Sequence, residues 1–177
     1  KYYKAGLILN DGNNKFKSGF VAVVGMPNVG KSTLINTFLG RKVSIVSPKP
    51  QTTRNSISGI LTTESYQIVF EDTPGITQKR DKLSAYMQSC LNAAVEGGDI
   101  IMLVIDAFKG VSDAEKQILQ KYDNSPNFLC VVNKIDAAKL ETVMPVLSCI
   151  SKMYSGEVYT ISALTGKGTD ILLQKII

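Results

Sequence analysis

The residues Phe20-Val-Ala-Val-Val24 form an apolar run, and Gly25-Met-Pro-Asn-Val-Gly-Lys-Ser32 follows it without a break. The second stretch fits the pattern of a glycine, four residues and then Gly-Lys-Ser, and it lies between a predicted strand and a predicted helix. Its two glycines let the backbone turn closely, so that successive N–H groups and the positive end of the helix face a polyphosphate. Lys31 would place its charge between the β- and γ-phosphates, and the Ser32 hydroxyl would ligate Mg²⁺. The sequence therefore predicts a nucleotide phosphate site before its first helix.

Outward from this loop, short apolar runs alternate with helix-like stretches. The runs lie at 66–70, 100–105 and 127–132, with a shorter one at 157–161, and the helices are predicted near 31–39, 83–95, 113–122, 140–153 and 168–177. Runs so continuously apolar favour strands of a parallel sheet that is covered on both faces. One hairpin is predicted, between 56–62 and 66–71, across a polar turn. The pattern is typical of an α/β fold.

The composition excludes several kinds of site. The 177 residues contain no histidine, which excludes Ser-His and Cys-His nucleophile pairs and imidazole ligation of a metal. Cys90, Cys130 and Cys149 are odd in number and widely spaced, so we expect buried thiols instead of disulfides or a zinc cluster. The longest apolar run, at 100–105, is too short to span a bilayer, and the N-terminus lacks a secretory pattern, so we expect an intracellular chain. The net charge of +5 suggests polyanionic partners without identifying them.

The two ends of the chain differ from the rest. Residues 1–15 contain a turn-rich cluster at 11–14, and they fit a native extension, an appendage ahead of the first strand or a tag remnant. The final residues, 171–177, carry no glycine, asparagine or proline that would end a helix, which suggests that a second domain follows in the parent protein. We expect one nucleotide-binding domain over 16–177.

A second motif, Asp72-Thr-Pro-Gly75, follows the apolar run at 66–70. Asp72 therefore emerges at the carboxyl end of a strand, where open α/β sheets bind ligands. We expect Asp72 to hold Mg²⁺ through water and the Gly75 N–H to reach the γ-phosphate.

A third motif, Asn133-Lys-Ile-Asp136, follows the run at 127–132 and indicates guanine. Guanine presents N1–H and an exocyclic amino group side by side, and the Asp136 carboxylate can accept both hydrogen bonds. Adenine has no such pair of donors, so a site built on this carboxylate should reject ATP. The stem of Lys134 can lie along the base, Asn133 can brace the loops, and the Ala163 N–H within 162–164 could donate to guanine O6.

In this order the motifs resemble those of the translation-factor-related GTPases and, within them, the Era-like family. The narrower likeness rests on residues 19–34 and on Val46-Ser-Pro-Lys-Pro-Gln-Thr-Thr-Arg-Asn55, which is similar to the first switch of that family. It implies a Ras-like G domain with a P-loop, a mostly parallel six-stranded sheet, one antiparallel strand and helices on both faces. It also implies mobile switches over about 41–55 and from Gly75 to about Ser84, with Thr53 as a Mg²⁺ ligand in the GTP-bound state.

The resemblance implies a Mg²⁺-dependent GTPase that acts as a molecular switch. The residues predicted to bind the nucleotide are Asn28, Val29, Gly30, Lys31, Ser32, Thr33, Asn133, Lys134, Asp136, Ser162, Ala163 and Leu164. Those predicted to take part in hydrolysis are Lys31, Thr53, Gly75 and Asn28, and the metal ligands are Ser32, Thr53 and Asp72.

One position departs from many regulatory GTPases. Ile76 stands where they carry a glutamine that orients the attacking water, and an aliphatic side chain cannot do this. In the Era-like family an asparagine at the position of Asn28, with backbone carbonyls of the first switch, can hold K⁺ in place of an arginine finger. The alternative is that Asn28 only stabilises the turn of the loop.

The resemblance also implies partners. Era-like proteins continue into a KH domain that binds ribosomal RNA of the small subunit, and that domain is absent here, so the role in ribosome assembly belongs to the parent protein. A cytoplasmic monomer that can associate peripherally with the inner membrane is implied as well. Three alternatives stay open: a relative of the Der or tRNA-modification type, whose first switch typically reads Gly-x-Thr-Arg-Asp; a P-loop ATPase or nucleotide kinase, against which Asp136 argues; and a GTP-binding scaffold without hydrolysis.

Overall fold

The computed structural model describes residues 16–40, 57–72 and 100–177. Several predictions lie outside the described residues: the helix at 83–95, both switches, and Thr53, Gly75, Ile76 and Cys90. Within the described part the elements are β1 (Lys17–Val24), α1 (Lys31–Leu39), β2 (Ile57–Thr62), β3 (Tyr66–Asp72), β4 (Ile100–Asp106), α2 (Asp113–Lys121), β5 (Phe128–Asn133), α3 (Leu140–Ser151), β6 (Val158–Thr160) and α4 (Thr169–Ile176).

The strands form one six-stranded sheet in the order β2-β3-β1-β4-β5-β6. β2 runs antiparallel to β3, and the other neighbouring pairs are parallel. The hairpin turn is held by the Thr63 hydroxyl, which accepts a hydrogen bond from the N–H of Tyr66 at 3.1 Å. The predicted hairpin and the predicted mostly parallel α/β sheet are therefore confirmed.

Both faces of the sheet are covered, as the continuous apolar runs predicted. In β4 the side chains of Met102 and Val104 pack with α1 and α4 on one face, whereas those of Leu103 and Ile105 pack with α2 and α3 on the other. All four are fully buried. Successive side chains of a strand point to opposite faces, so a strand between two helical layers must be apolar at every position.

The helix boundaries agree with the prediction or differ from it by one or two residues. α1 spans the predicted 31–39. α4 begins at Thr169 instead of 168, because Gly168 has φ +76°, a left-handed conformation that cannot be part of the helix. α3 ends at Ser151 instead of 153, where the N–H groups of Met153 and Tyr154 both turn back to the carbonyl of Ile150.

The burial of the cysteines agrees with the expectation at one of the two described positions. Cys130 is buried as expected, but the expectation was wrong for Cys149, which is half-buried and is not among the residues that α3 buries, Val143, Val146 and Ile150. Over the described ranges, the helices are all too short or too polar to cross a membrane.

The carboxyl ends of four parallel strands lie at one edge of the sheet. Asp72, the last residue of β3, is in register with Val23 of β1, one residue before β1 ends. Asp106 at the end of β4 is in register with Asn133 at the end of β5. The loops that follow these strands therefore meet at one edge, where open α/β sheets place their ligands.

Candidate nucleotide-binding site

The phosphate loop joins β1 to α1 and requires glycine at two positions. Gly25 has φ +153°, and a Cβ there would overlap the carbonyl oxygen of Val104. Gly30 has φ +99°, and a Cβ there would overlap the Nδ2 atom of Asn133. The loop thus passes close to the ends of β4 and β5 because neither glycine carries a side chain.

Lys31 lies inside the curve of this loop. Its Nζ donates to the carbonyl oxygens of Gly25 at 3.0 Å and Met26 at 3.2 Å, and the residue is 6% exposed. No described side chain caps the start of α1, whose N-cap is Gly30, and its first turn contains no acidic residue. A lysine charge beside a helix start that lacks acidic groups favours an anion at this position.

Asn133, the first residue of its own motif, connects that motif to the phosphate loop and to the 162–164 loop. Its Nδ2 donates to the carbonyl oxygen of Val29 in the phosphate loop at 2.8 Å, and its Oδ1 accepts from the N–H of Ala163 at 2.8 Å. The side chain is almost fully buried, at 1% exposure. Segments more than 100 residues apart in the chain are therefore held together by one amide, as expected for a residue that braces the loops.

The Ala163 contact changes one detail of the expected base site. We expected its N–H to donate to guanine O6, but in the structure that N–H donates to Asn133. A bond to O6 would require this hydrogen bond to be shared or exchanged. The carbonyl of Ala163 accepts from the Thr37 hydroxyl of α1 at 2.6 Å, so the 162–164 loop is also fixed to the helix behind the phosphate loop.

Lys134 makes contacts that the sequence did not indicate. Its Nζ lies 2.7 Å from Oδ2 of Asp106 and donates to the carbonyl oxygen of Asn28 at 2.6 Å. Its backbone has φ +72°, a left-handed conformation that costs a side-chain-bearing residue about 1 to 3 kcal/mol and is concentrated at functional sites. Lys134 therefore links the end of β4 to the phosphate loop.

Asp106 is the anchor of this link and is 3% exposed. Burial would raise the pKa of its carboxyl, but the hydrogen bonds from Lys134 and the Phe108 N–H, with the charges of Lys134 and Lys109, outweigh burial and lower the pKa below its ordinary value. Asp106 is consequently ionised at neutral pH.

The remaining predicted residues lie on the loops that follow these strands. Asp136 is exposed in the turn after Lys134, and the Ile135 N–H donates to the carbonyl of Ile161 at 3.2 Å, which ties this turn to the 162–164 loop. Ser162 is buried, whereas Leu164 is 78% exposed. The Asp136 carboxylate is thus accessible to a ligand.

The donor set at the phosphate loop fits Mg²⁺. Of the predicted ligands, Ser32 is exposed in the first turn of α1, and Asp72 is the last residue of the strand next to β1. Thr33, predicted only to bind the nucleotide, is exposed beside Ser32. Hydroxyl and carboxylate oxygens are the hard ligands that Mg²⁺ prefers, and the ion commonly keeps several waters. Thr53, the other predicted ligand, lies outside the described residues.

Sequence reasoning missed Asp106, Lys109 and Glu115. Lys109 Nζ lies 3.4 Å from the carbonyl oxygen of Pro27, and Glu115, which is buried, lines a cavity beside residues 26–29. Glu115 could have been found from the spacing Ser112-x-x-Glu115, which predicts a capping box. Asp106 could have been found from its place at the end of a buried strand.

The chain belongs to a family of GTPases. The family is described as 50S ribosome-binding GTPases, and its sequence model matches residues 20–134. Within that family it is similar to GTPase Era. The GTPase Era of Caldicellulosiruptor saccharolyticus is 46% identical over 165 residues, which cover 91% of this chain and 55% of the relative. The likeness to the Era-like family, inferred from the motifs, is therefore confirmed.

Solved structures of Era proteins share the fold. An Era variant from Aquifex aeolicus, bound to GDP·AlF4⁻, is 39% identical with a TM-score of 0.67 over 91% of this chain and 56% of that one. A structure of Era with MgGDPNP and nucleotides 1506–1542 of 16S ribosomal RNA is 39% identical, with a TM-score of 0.66 over the same shares. The chain thus spans little more than half the length of the Era proteins it matches.

Proposed function

We propose that this chain binds GTP at the carboxyl edge of its sheet, hydrolyses it to GDP and phosphate, and changes conformation between the two states. The observation that carries the proposal is a pair of 2.8 Å hydrogen bonds at Asn133, whose Nδ2 donates to the carbonyl oxygen of Val29 and whose Oδ1 accepts from the N–H of Ala163. These bonds hold the phosphate loop and the 162–164 loop against the residue that begins the Asn133-Lys-Ile-Asp136 motif, which supports one nucleotide site shared by the three loops. A purely structural turn at 133–136 would not require a buried amide shared by three loops.

The predicted roles follow from this arrangement. The Asp136 carboxylate would accept the two guanine donors, and the Lys134 stem would lie beside the base. Lys31 and the backbone N–H groups of 28–33 would bind the phosphates. The Ala163 N–H would have to share or exchange its hydrogen bond with Asn133 in order to donate to guanine O6.

Mg²⁺ would be held by Ser32 and, through water, by Asp72, with Thr53 added in the GTP-bound state. When bound, the ion would neutralise charge on the β- and γ-phosphates. The ligands bound in the solved Era structures, MgGDPNP and GDP·AlF4⁻, support a magnesium nucleotide at this place in the family.

A potassium ion at Asn28 belongs to the same proposal. Asn28 is exposed at the turn of the phosphate loop, where its amide oxygen is accessible to a cation. Its φ of +64° also suits asparagine in a tight turn, so the residue has a backbone reason to be there without any ion. Phosphate release in K⁺ and in Na⁺ at constant ionic strength distinguishes a potassium ligand from a turn residue. Only a potassium ligand makes hydrolysis faster in K⁺ than in Na⁺.

Multiple-turnover phosphate release from GTP tests the proposed activity. The parent chain should release more than one phosphate per molecule, and Lys31→Ala should abolish this, whereas Lys152→Ala, at an exposed lysine after α3, should not. GTP binding without turnover in the parent would instead favour a GTP-binding scaffold. A preference for ATP would favour the ATPase or nucleotide kinase.

For the longer parent protein we propose a role on the small ribosomal subunit. The support is the solved Era complex with nucleotides of 16S RNA, at 39% identity. The description of the wider family names the 50S subunit instead, so cosedimentation of the full-length protein with each isolated subunit, in GTP and in GDP, distinguishes them. We also propose that this protein is a cytoplasmic monomer that contacts membranes peripherally. Vesicle flotation tests the membrane contact, and a sizing measurement tests whether the protein is a monomer.

A further inference from the structure

Thr37 is a residue of α1 whose side chain bonds outside its own helix. Its hydroxyl donates to the carbonyl oxygen of Ala163, 126 positions away in the chain, at 2.6 Å. The same hydroxyl lies 2.9 Å from the carbonyl oxygen of Thr33, the contact that a helical threonine commonly makes with the residue four positions before it. A hydroxyl has one proton to donate, and the contact with Ala163 is the shorter one. Thr37 therefore ties α1 to the 162–164 loop.

Ala163 is held by a side chain at each of its two backbone polar groups. Its N–H donates to Oδ1 of Asn133 at 2.8 Å, its carbonyl accepts from Thr37, and the residue is 2% exposed. The preceding residue, Ser162, is fully buried, and its own backbone groups pair within the loop, with residues 166–167. Because a buried carbonyl needs a partner, the Thr37 hydroxyl satisfies a requirement of this loop that a helix residue without a donor would not.

The two bonds at Ala163 differ in what a guanine would do to them. A bond from the Ala163 N–H to guanine O6 requires that N–H to share or leave Asn133. The carbonyl of Ala163 belongs to the next peptide unit, and the base does not need it. The bond from Thr37 can thus persist while the N–H turns to the base, and it keeps the loop beside α1 during that exchange.

We propose that Thr37 is a positioning residue for base recognition, which acts through Ala163 on the 6-oxo group of guanine. The proposal rests on the proposed function, since the 162–164 loop is taken to contact the base. Asp136 would read the N1–H and the 2-amino group, whereas the loop that Thr37 holds would read O6. The helix that begins at the phosphate site would then also contribute to the choice of base.

Thr37→Val is the main variant, because valine has nearly the same shape and a similar helix propensity but no hydroxyl. Thr37→Ser keeps the hydroxyl and tests whether that group alone is needed. Thr142→Val is the matched control, a threonine of α3, which packs on the opposite face of the sheet from α1.

Three nucleotides separate the two parts of the base contact. The affinities of GDP and 6-thioguanosine diphosphate differ only through the oxygen or sulfur at position 6, and sulfur is the weaker acceptor. Inosine diphosphate keeps O6 but lacks the 2-amino group, so the preference for GDP over it reports the Asp136 contact. Amide hydrogen exchange at Ala163, followed by NMR without nucleotide, reports the loop itself.

We expect Thr37→Val to weaken GDP binding about fivefold, the effect of one neutral hydrogen bond. The preference of the parent for GDP over the 6-thio analogue, about fivefold on the same grounds, should fall below about twofold. The preference for GDP over inosine diphosphate should stay unchanged, because Asp136 is untouched. Exchange at Ala163 should accelerate in Thr37→Val, while Thr37→Ser and Thr142→Val should behave as the parent does.

Equal losses of affinity for GDP and the 6-thio analogue in Thr37→Val would mean a merely structural role and would overturn the proposal. It would also be overturned by unchanged GDP affinity in Thr37→Val, by a parent that does not distinguish the two nucleotides, or by a Thr37→Ser chain that behaves like Thr37→Val. A parent that does not bind GDP would instead contradict the proposed function. Exchange at Ala163 would still test the contact in that case, and an unchanged rate in Thr37→Val would show that Thr37 does not hold the loop.

Discussion

Asn133 Nδ2 lies 2.8 Å from the carbonyl oxygen of Val29, although the two residues are 104 positions apart in the chain. Water has little access to either group, because Asn133 and Val29 are each only 1% exposed. A buried donor and acceptor of this kind must be paired with each other, and their pairing fixes the distance between the phosphate loop and the predicted base loop.

Asn133→Ala should therefore weaken both stability and nucleotide binding. It leaves the Val29 carbonyl and the Ala163 N–H buried without partners, which should cost about 3 kcal/mol of unfolding free energy. Urea denaturation of the nucleotide-free chain measures this cost, and Asn124→Ala, at an exposed asparagine, is the control. A change below about 0.5 kcal/mol, the ordinary range for surface substitutions, would show that the amide does not hold the loops.

Asp106 should contribute stability that depends on pH. Its folded pKa is lowered, so its contribution is fully present above the unfolded value of about 3.9 and is lost as pH falls through the folded pKa. Asp106→Asn should thus cost about 1 to 2 kcal/mol at pH 7 and less at pH 3. Denaturant titrations at both pH values make the comparison, and an equal cost at both would mean that the Lys134 contact contributes nothing through charge.

These two residues illustrate what the sequence could and could not predict. Asn133 was predictable because its type, its spacing from Asp136 and its place after an apolar strand all indicate one chemistry. The partner of Lys134 was not, because Asp106 lies 28 residues away and only the parallel register of β4 and β5 brings them together. The contact of Lys109 with the carbonyl oxygen of Pro27 likewise depends on how the segment after β4 lies against the phosphate loop, which no local pattern specifies.

The thiols should react differently. Burial raises the pKa of Cys130 to about 12, so its thiolate is scarce at pH 8, whereas Cys149 is half-buried. In a Cys90→Ser background, which removes the thiol outside the described residues, iodoacetamide should label Cys149 first and Cys130 only after unfolding. Mass spectrometry of the peptides measures this, and rapid labelling of Cys130 in the folded chain would contradict the burial of β5.

Thr53 should matter in one nucleotide state, by the role that the family resemblance gives it. Its bond to Mg²⁺ requires a first switch closed on the γ-phosphate, so Thr53→Ala should slow hydrolysis at least about tenfold and leave GDP affinity nearly unchanged. Single-turnover hydrolysis and GDP titration provide the two readouts. An equal loss for both nucleotides would indicate a structural role for Thr53.

Ile76→Ala should change turnover far less than the loss of a catalytic glutamine would, because an aliphatic side chain has no group that orients water. The rate should rise in K⁺ relative to Na⁺, and Asn28→Ala should remove that difference. Phosphate release in the two salts, with Mg²⁺ saturating, tests both statements. Identical rates in the parent would exclude the potassium proposal and leave the turn as the reason for Asn28.

The central claim, that this edge of the sheet is a guanine nucleotide site, depends most directly on Asp136. The most direct measurement is the affinity of Asp136→Asn for GTP and for xanthosine triphosphate, with Glu64→Gln, an exposed acid at the hairpin turn, as the control. Asparagine can donate to the 2-oxo group of xanthine, so GTP affinity should fall by about 3 kcal/mol while xanthosine triphosphate binding rises. If Asp136→Asn binds GTP as tightly as the parent chain does, the guanine site is not at this edge.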